Sequence, residues 1–154
     1  TKRIAMTGDL LTHDSDQAVL TLLKVSDVVE TNFSPVSIDA TLGEFVQVIS
    51  SSARNIFPVV DSRNHLQGYV SLEDVRKDMF RQDLYGKMHV YNYMKSSPAY
   101  VYDGEKMDSV MSKFESTDAW NLPVVKKDRT YIGFVSKSKI FSAYRNELKE
   151  LSQD

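Results

Sequence analysis

The chain has 154 residues, 42% of them apolar and 26% charged, with a formal net charge of −2 and no cysteine. That is the make-up of a globular domain with room for a core; it excludes disulfides and thiolate chemistry, and it offers no bulk positive charge to hold a nucleic acid. No apolar run approaches the roughly 18 residues that span a bilayer, no signal-peptide pattern occurs, and the opening residue, Thr1 rather than Met, is read as the sign of a piece of a longer protein.

Along the chain, "DLLTHDSDQAVLTLLK" (9–24) sets Ala18, Val19, Leu22 and Leu23 at the spacing of a short amphipathic helix, a cap for the module or a link to something upstream. An extended piece is expected near "PVSI". "TLGEFVQVI" (41–49) is apolar at helical spacing, and Thr41 with Glu44 makes a capping-box pattern. "IFPVVD" reads as a strand, "SRNHL" as a turn, "QGYVS" as the paired strand and "LEDVRKDMF" as a second helix. The same series then returns as "KMDSVMSKF", "NLPVV", "KKDRT", "YIGFVS" and "KSKIFSAYR", and the polar tail "AYRNELKELSQD" extends the last helix. Tyr91, Tyr93, Tyr100 and Tyr102 alternate like strand or core positions. Met79, Phe80 and the "KIFSAY" face suit either an interface or ordinary core packing.

A constant shift of 65 residues lays "NIFPVVDSRNHLQGYVSLEDV" on "WNLPVVKKDRTYIGFVSKSKI". Pro58 falls on Pro123, Gly68 on Gly133, Ser71 on Ser136, and Val25 on Val90. The match is gap-free over 42–75, and the loops around Pro35 and Pro98 are expected to differ in length. A unit of about 55 residues has too little core to stand comfortably alone, so the two should pack sheet against sheet about a pseudo-two-fold axis, with clefts where corresponding strand ends meet. The expected class is α+β (α/β), two β-α-β-β-α units. Residues 1–24 form a linker and short helix, 25–82 the first unit, 83–146 the second and 147–154 a C-terminal tail.

A tandem of "hPVVD … GhhSxxDh" units resembles the cystathionine-β-synthase (CBS) domain pair, or Bateman module, over about residues 25–145. The stretches "THDSDQAVLTLLKVSDVVETNF", "RNIFPVVD", "VRKDMF", "DAWNLPVV" and "GFVSKSKIFSAYR" are similar to the cytoplasmic tail of bacterial CLC chloride channels and transporters. The resemblance implies a cytoplasmic regulatory part of an integral membrane anion channel or anion/proton exchanger. Its partners would be the transmembrane chloride-transport domain of the same chain, a second copy in a homodimer, and an adenine nucleotide (ATP, ADP or AMP).

The same resemblance implies site residues. Asp74 would accept from ribose hydroxyls and Ser71, at the helix start, would face phosphate. Ala119, Trp120, Asn121 and Pro123 would complete that cleft from the other unit, with Trp120 flanking the purine. Charge-assisted bonds from two hydroxyls suit a carboxylate, and free N–H groups at a helix start favour an anion. On the residues alone, Ser71 and Asp74 equally suit a capping box that only closes a helix end, and Trp120 equally suits a core aromatic. The second unit carries Lys139 where the first has Asp74. An ammonium cannot accept from ribose, so the clefts are unlike. The second would draw on Arg54, Asn55, Pro58, Ser136 and Lys139, as an anion cradle or as solvated surface cations. His13, His65 and His89 lack metal-ligand spacing, and neither a GxSxG elbow nor a P-loop occurs, so no catalysis is expected. The leading reading is a regulatory module coupling a cytosolic signal to ion transport. The alternatives are a ligand-free dimerisation module and the regulatory domain of another transporter or an enzyme.

Overall fold

The computed structural model describes residues 20–153, with side chains through residue 150. Of the lead-in helix expected over 9–24, residues 20–22 are helical, Leu23 and Lys24 are not, and Ala18 and Val19 lie outside the described residues. The elements that follow are α1 (Val25–Val28), β1 (Val36–Ser37), α2 (Leu42–Ser51), β2 (Ile56–Val60), β3 (Leu66–Ser71) and α3 (Leu72–Val75). The second series is β4 (Val101–Tyr102), α4 (Met107–Thr117), β5 (Asn121–Val125), β6 (Tyr131–Ser136) and α5 (Lys137–Gln153), with 3₁₀ turns at Gln82–Leu84 and Val90–Asn92 between the two.

Local chemistry sets the element ends. Thr41 Oγ1 accepts from the Glu44 N–H at 3.2 Å and Glu44 Oε1 accepts from the Thr41 N–H at 3.3 Å, which closes the start of α2 from both sides. Each hairpin turns through a residue with positive φ, Asn64 at 64° and Arg129 at 76°, at matching places in the repeat.

The two sheets are copies in register. β1 runs parallel to β2 and β2 antiparallel to β3, with the order β1-β2-β3; β4-β5-β6 repeats it, and both hairpins carry the same irregularity, at Val59/Val60 and at Val124/Val125. The shift of 65 also relates β1 to β4, so the segments around Pro35 and Pro98 are equal in length, not unequal as expected; only the position of the proline differs.

The units depart from one another in their last helices. α3 stops after one turn at Val75, whereas the spacing of "LEDVRKDMF" predicts a longer helix. The chain tightens instead: Asp78 and Met79 N–H groups both donate to the Val75 carbonyl at 2.9 and 2.8 Å. The Met79 carbonyl is taken by Tyr85 Oη at 2.6 Å, and Phe80 stays 81% exposed, so nothing rewards a further helical turn. α5, by contrast, packs Ile140, Tyr144 and Leu148 on the second core and runs on. The tyrosine alternation is not a strand either. Tyr91 lies within a 3₁₀ turn and Tyr93 just after it, and of the four only Tyr102 lies in a strand.

Each sheet borrows its fourth edge from the other half of the chain. Lys95 pairs antiparallel with Tyr69 of β3, and Glu30 with Phe134 of β6. The Tyr69 N–H donates to the Lys95 carbonyl at 2.9 Å and the Lys95 N–H returns to the Tyr69 carbonyl at 3.0 Å. Gly68 permits this: a Cβ there would stand 2.6 Å from the Lys95 carbonyl oxygen. Gly133 plays the same part against the Glu30 carbonyl. The cores follow the exchange. Val90 joins Phe45, Phe57, Val59, Val70 and Val75, while Leu23, Val25 and Val28 join Met107, Val110, Phe114, Leu122, Val135 and Ile140.

The units meet about a local two-fold axis. The Leu66 N–H donates to the Arg129 carbonyl and the Tyr131 N–H to the Asn64 carbonyl, both at 2.9 Å and each the other's counterpart under the repeat. Phe33, Leu66, Val125, Tyr131 and Phe134 fill the space between the sheets. This is the expected α+β pair of copied units packed on each other.

Candidate functional site

The exchange leaves a hollow where the start of β5 faces β3. Its volume is about 260 Å³; Thr117, Ala119, Trp120, Asn121 and Pro123 come from the end of α4 and from β5, Ile56 and Tyr69 from the first sheet, Ser97 and Pro98 from the borrowed edge, and Phe134 from β6. Four of the expected residues, Ala119, Trp120, Asn121 and Pro123, therefore do share one wall. Asp118 shapes that wall: it ends α4 in the left-handed conformation, φ 55°, and turns the chain outward. The Trp120 carbonyl then accepts from the Lys137 N–H at 2.9 Å. Trp120 is 69% exposed, so the core alternative is overturned, and the Lys137 ammonium lies 5.3 Å from its ring centroid.

Ser71 and Asp74 stand beside this hollow, not in its lining. Asp74 Oδ2 accepts from the Ser71 N–H and the Ser71 hydroxyl, both at 2.9 Å, and the Lys95 ammonium sits 3.2 Å away. Partial burial pushes the Asp74 carboxyl up, but the Ser71 bonds and the Lys95 charge outweigh it and hold the group below the ordinary aspartate value. The carboxylate is thus ionised, helix-capping and ion-paired at once. Lys95 links it to the cleft: its ammonium is also 5.2 Å from the Tyr69 ring centroid, and its chain continues into Ser97 and Pro98.

The second cleft is built differently. Arg54 Nη1 donates to Glu30 Oε2 at 3.1 Å and to Asn32 Oδ1 at 3.4 Å, and the guanidinium carbon lies 4.1 Å from the Phe33 ring centroid. Ser136 Oγ donates to Glu30 Oε1 at 3.4 Å and accepts from the Lys139 N–H at 3.1 Å. Arg54 and Ser136 therefore meet at an acid. Lys139 is exposed, Asn55 is exposed with its carbonyl bonded to the Leu72 N–H, and Pro58 is buried in β2 opposite Tyr69.

The residues that motif reading missed are Tyr69, Lys95, Glu30 and Ser97. Tyr69 had a signal: the repeat sets it on Phe134, and both aromatics line the open hollow. A larger hollow of about 480 Å³ lies between Leu20–Ser26 and Asp103–Asp108; it borders the first described residue, and among the described residues that line it there is no aromatic and no expected site residue. His65 faces Asp61 at 3.6 Å and His89 stacks on Tyr91 at 4.9 Å, and among the described residues no group could hold a metal ion. Nor, among those residues, is any helix long and apolar enough to cross a membrane.

Comparison with known proteins places this architecture. A family model described as "CBS domain" matches residues 25–81 and again 90–146. The uncharacterized protein MJ1004 of Methanocaldococcus jannaschii is 24% identical over 116 residues, which is 73% of this chain and 52% of its own length. Its crystal structure superposes with a TM-score of 0.67 at 21% identity, over 85% of this chain and 67% of that one. Homoserine O-acetyltransferase of Methanosarcina acetivorans is 25% identical over 128 residues, 83% of this chain but 23% of the relative. The CBS domain of a bacterial CNNM/CorC family Mg2+ transporter in complex with ATP superposes with a TM-score of 0.69 at 16% identity, covering 84% and 92% of the two chains. The chain thus spans about half the length of the first relative and about a quarter of the second.

Proposed function

We propose a regulatory role from one premise: the chain belongs to the CBS domain family. In this reading the pair is the cytoplasmic regulatory part of a membrane transport protein, acts as a homodimer and catalyses nothing itself. The stretches "RNIFPVVD", "DAWNLPVV" and "GFVSKSKIFSAYR" favour a CLC-type chloride channel or anion/proton exchanger, with the transmembrane chloride-transport domain on the same longer chain. Its ligand is an adenine nucleotide, ATP, ADP or AMP, taken in the Trp120 cleft.

The observation that carries this reading is an exposed tryptophan on the wall of a hollow between the units, with the Lys137 ammonium 5.3 Å from its ring and the Lys95 ammonium 5.2 Å from the ring of Tyr69, which lines the same hollow. At about 260 Å³ the hollow is a little smaller than the usual ligand pocket, about 300 Å³ upward, so in this reading it takes the purine alone and the phosphates stay outside. Trp120 offers the stacking face. Lys95 and Lys137 supply charge for phosphate. Asp74 exchanges Lys95 for the ribose hydroxyls, and Lys95 follows the phosphates. The ATP complex of the CNNM/CorC relative supports the ligand class.

Trp120 is the chain's one tryptophan, so its emission reports on the cleft directly. Titration with ATP, ADP and AMP should change that emission saturably and release or absorb heat in a calorimeter. No change with any of the three overturns the ligand assignment. The parent protein is tested separately by reading the gene upstream of Thr1, where a run of apolar spans is expected. A second reading, the regulatory domain of an enzyme, is favoured by the acetyltransferase relative, and a catalytic domain upstream would establish it.

A further inference from the structure

The two clefts carry opposite signs at matching places. The shift of 65 residues sets Glu30 on Lys95 and Lys139 on Asp74, so each cleft has one charge on the borrowed edge and one in the first turn of a helix, with the signs exchanged. In the Trp120 cleft these two close on each other, Lys95 to Asp74 at 3.2 Å. In the second cleft they do not. Glu30 is taken instead by Arg54 at 3.1 Å, and Lys139 has no ion-pair partner among the described residues.

Arg54 stands where the open cleft has Ala119, and Phe33 where it has Pro98, two residues that line the open hollow. A guanidinium stacked on a phenyl ring 4.1 Å away thus occupies the space that is empty on the other side. Both charged side chains are about three-quarters covered, with 28% and 25% of their surface exposed. Close enough to Arg54 to feel its charge, Tyr131 Oη is buried without a hydrogen-bond partner among the described residues.

We propose that Glu30 and Arg54 form an internal latch that fills the second cleft and ties the edge paired with β6 to the chain entering β2, and that removing the acid uncovers an oxyanion site on Arg54, Ser136 and Lys139. The physics is competition. A carboxylate held on the same chain acts on Arg54 at an effective concentration on the order of millimolar or above, so a free oxyanion must exceed that to displace it. Neutralising Glu30 removes the competitor and leaves three groups that can donate to oxygen. This inference does not depend on a nucleotide filling the Trp120 cleft.

The test is calorimetric titration of inorganic pyrophosphate into wild type, Glu30→Gln and Glu30→Gln/Arg54→Ala, with Trp120 emission followed in parallel. Glu30→Gln should bind pyrophosphate at least about tenfold more tightly than wild type, given the millimolar competitor. The added Arg54→Ala change should abolish the gain, and Trp120 emission should not move. If Glu30→Gln fails to melt cooperatively, Glu30→Asp, which keeps the charge on a shorter arm, should bind with intermediate affinity. Equal affinity in wild type and the Glu30 variant, or a gain that survives Arg54→Ala, overturns the latch. A gain accompanied by a change in Trp120 emission also overturns it, because the anion would then be in the other cleft. Failure of the nucleotide reading is seen elsewhere, as an ATP titration that leaves Trp120 emission unchanged.

Discussion

Gly68→Ala tests the exchanged edges. A Cβ at this position would stand 2.6 Å from the Lys95 carbonyl oxygen and 2.7 Å from Met94 Cγ. The Met94 side chain can swing aside; the carbonyl cannot, because it accepts the Tyr69 N–H at 2.9 Å while the Lys95 N–H donates back at 3.0 Å. Gly68 does not have a positive φ, so alanine meets no backbone strain and the whole cost is contact. Either the edge moves away, at the risk of two hydrogen bonds worth about 0.5–1.5 kcal/mol each, or the overlap is absorbed as overpacking, about 1–3 kcal/mol. Both routes give a loss of about 1–3 kcal/mol. At roughly 2–4 °C per kcal/mol for a domain of this size, the melting temperature falls by roughly 2–12 °C. Gly133→Ala should do the same through the Glu30 carbonyl, whereas Gly86→Ala, with nothing within 4 Å of the added carbon, should not. Differential scanning calorimetry of the three variants decides the matter. A Gly68→Ala protein that melts within about 1 °C of wild type refutes the exchange of edges.

Other expectations follow from single groups. Tyr131→Phe removes a buried hydroxyl that has no partner among the described residues; stability in urea should rise by up to about 1 kcal/mol, and a fall would reveal a hidden partner. Trp120→Ala should leave the melting temperature unchanged, since the side chain is 69% exposed, yet weaken ATP binding by roughly 5- to 150-fold, the worth of a base–aromatic stack. Asp74→Ala should weaken any nucleotide at least about tenfold, or about 1.4 kcal/mol. Asp74 also has a pH signature. Its folded carboxyl titrates below the ordinary value, so its contribution is full above the unfolded value of about 3.9 and is lost as pH falls through the lowered folded value. The stability gap between wild type and Asp74→Asn should stay flat from neutral pH to about 5 and close below about 4; a gap that widens on acidification contradicts the assignment.

The fold was legible where the chain repeats a pattern that physics enforces twice. Pro58 with Pro123, and Gly68 with Gly133, are rare residues inside β-branched runs, and their common spacing identified both hairpins and the pseudo-symmetry. The exchanged edges were not legible. Glu30 and Lys95 each form one bridge, too short to leave a period, and the only trace is a strand glycine whose missing side chain serves a neighbour's backbone. The extent of α3 was missed because helical spacing continues past Val75 while the surface that would reward it does not: Phe80 has nothing to pack on. In the candidate site the family resemblance named Ala119, Trp120, Asn121 and Pro123, which share one wall of the hollow. Trp120 was ambiguous, because nothing in its type separates a core ring from an exposed one; the left-handed turn at Asp118 decides it, and aspartate is only a weak marker of that turn. Lys95 had no motif at all, although it joins Asp74 to the cleft.

That position makes Lys95 the residue through which a ligand can act on the whole molecule. Its backbone belongs to the first sheet by two hydrogen bonds, its side chain holds Asp74, and three residues later its chain forms the wall of the cleft at Pro98 before entering β4 of the second sheet. A ligand that drew the ammonium away from Asp74 would pull on a segment shared by both units. Across the local axis, Glu30 holds the equivalent segment, and there it is tied to Arg54 of the first unit. The two connections between sheets are therefore restrained unequally: Lys95 is paired with Asp74, which follows the same strand β3 that its backbone joins, whereas Glu30, whose backbone joins β6, is paired with Arg54 at the entry to β2 of the other sheet. A regulatory coupling needs only about 1–3 kcal/mol, the scale of a partly buried ion pair with its hydrogen bonds. On the proposed reading, binding on the Lys95 side alone, with the Glu30 side fixed, would turn a local exchange of partners into a change in the angle between the units.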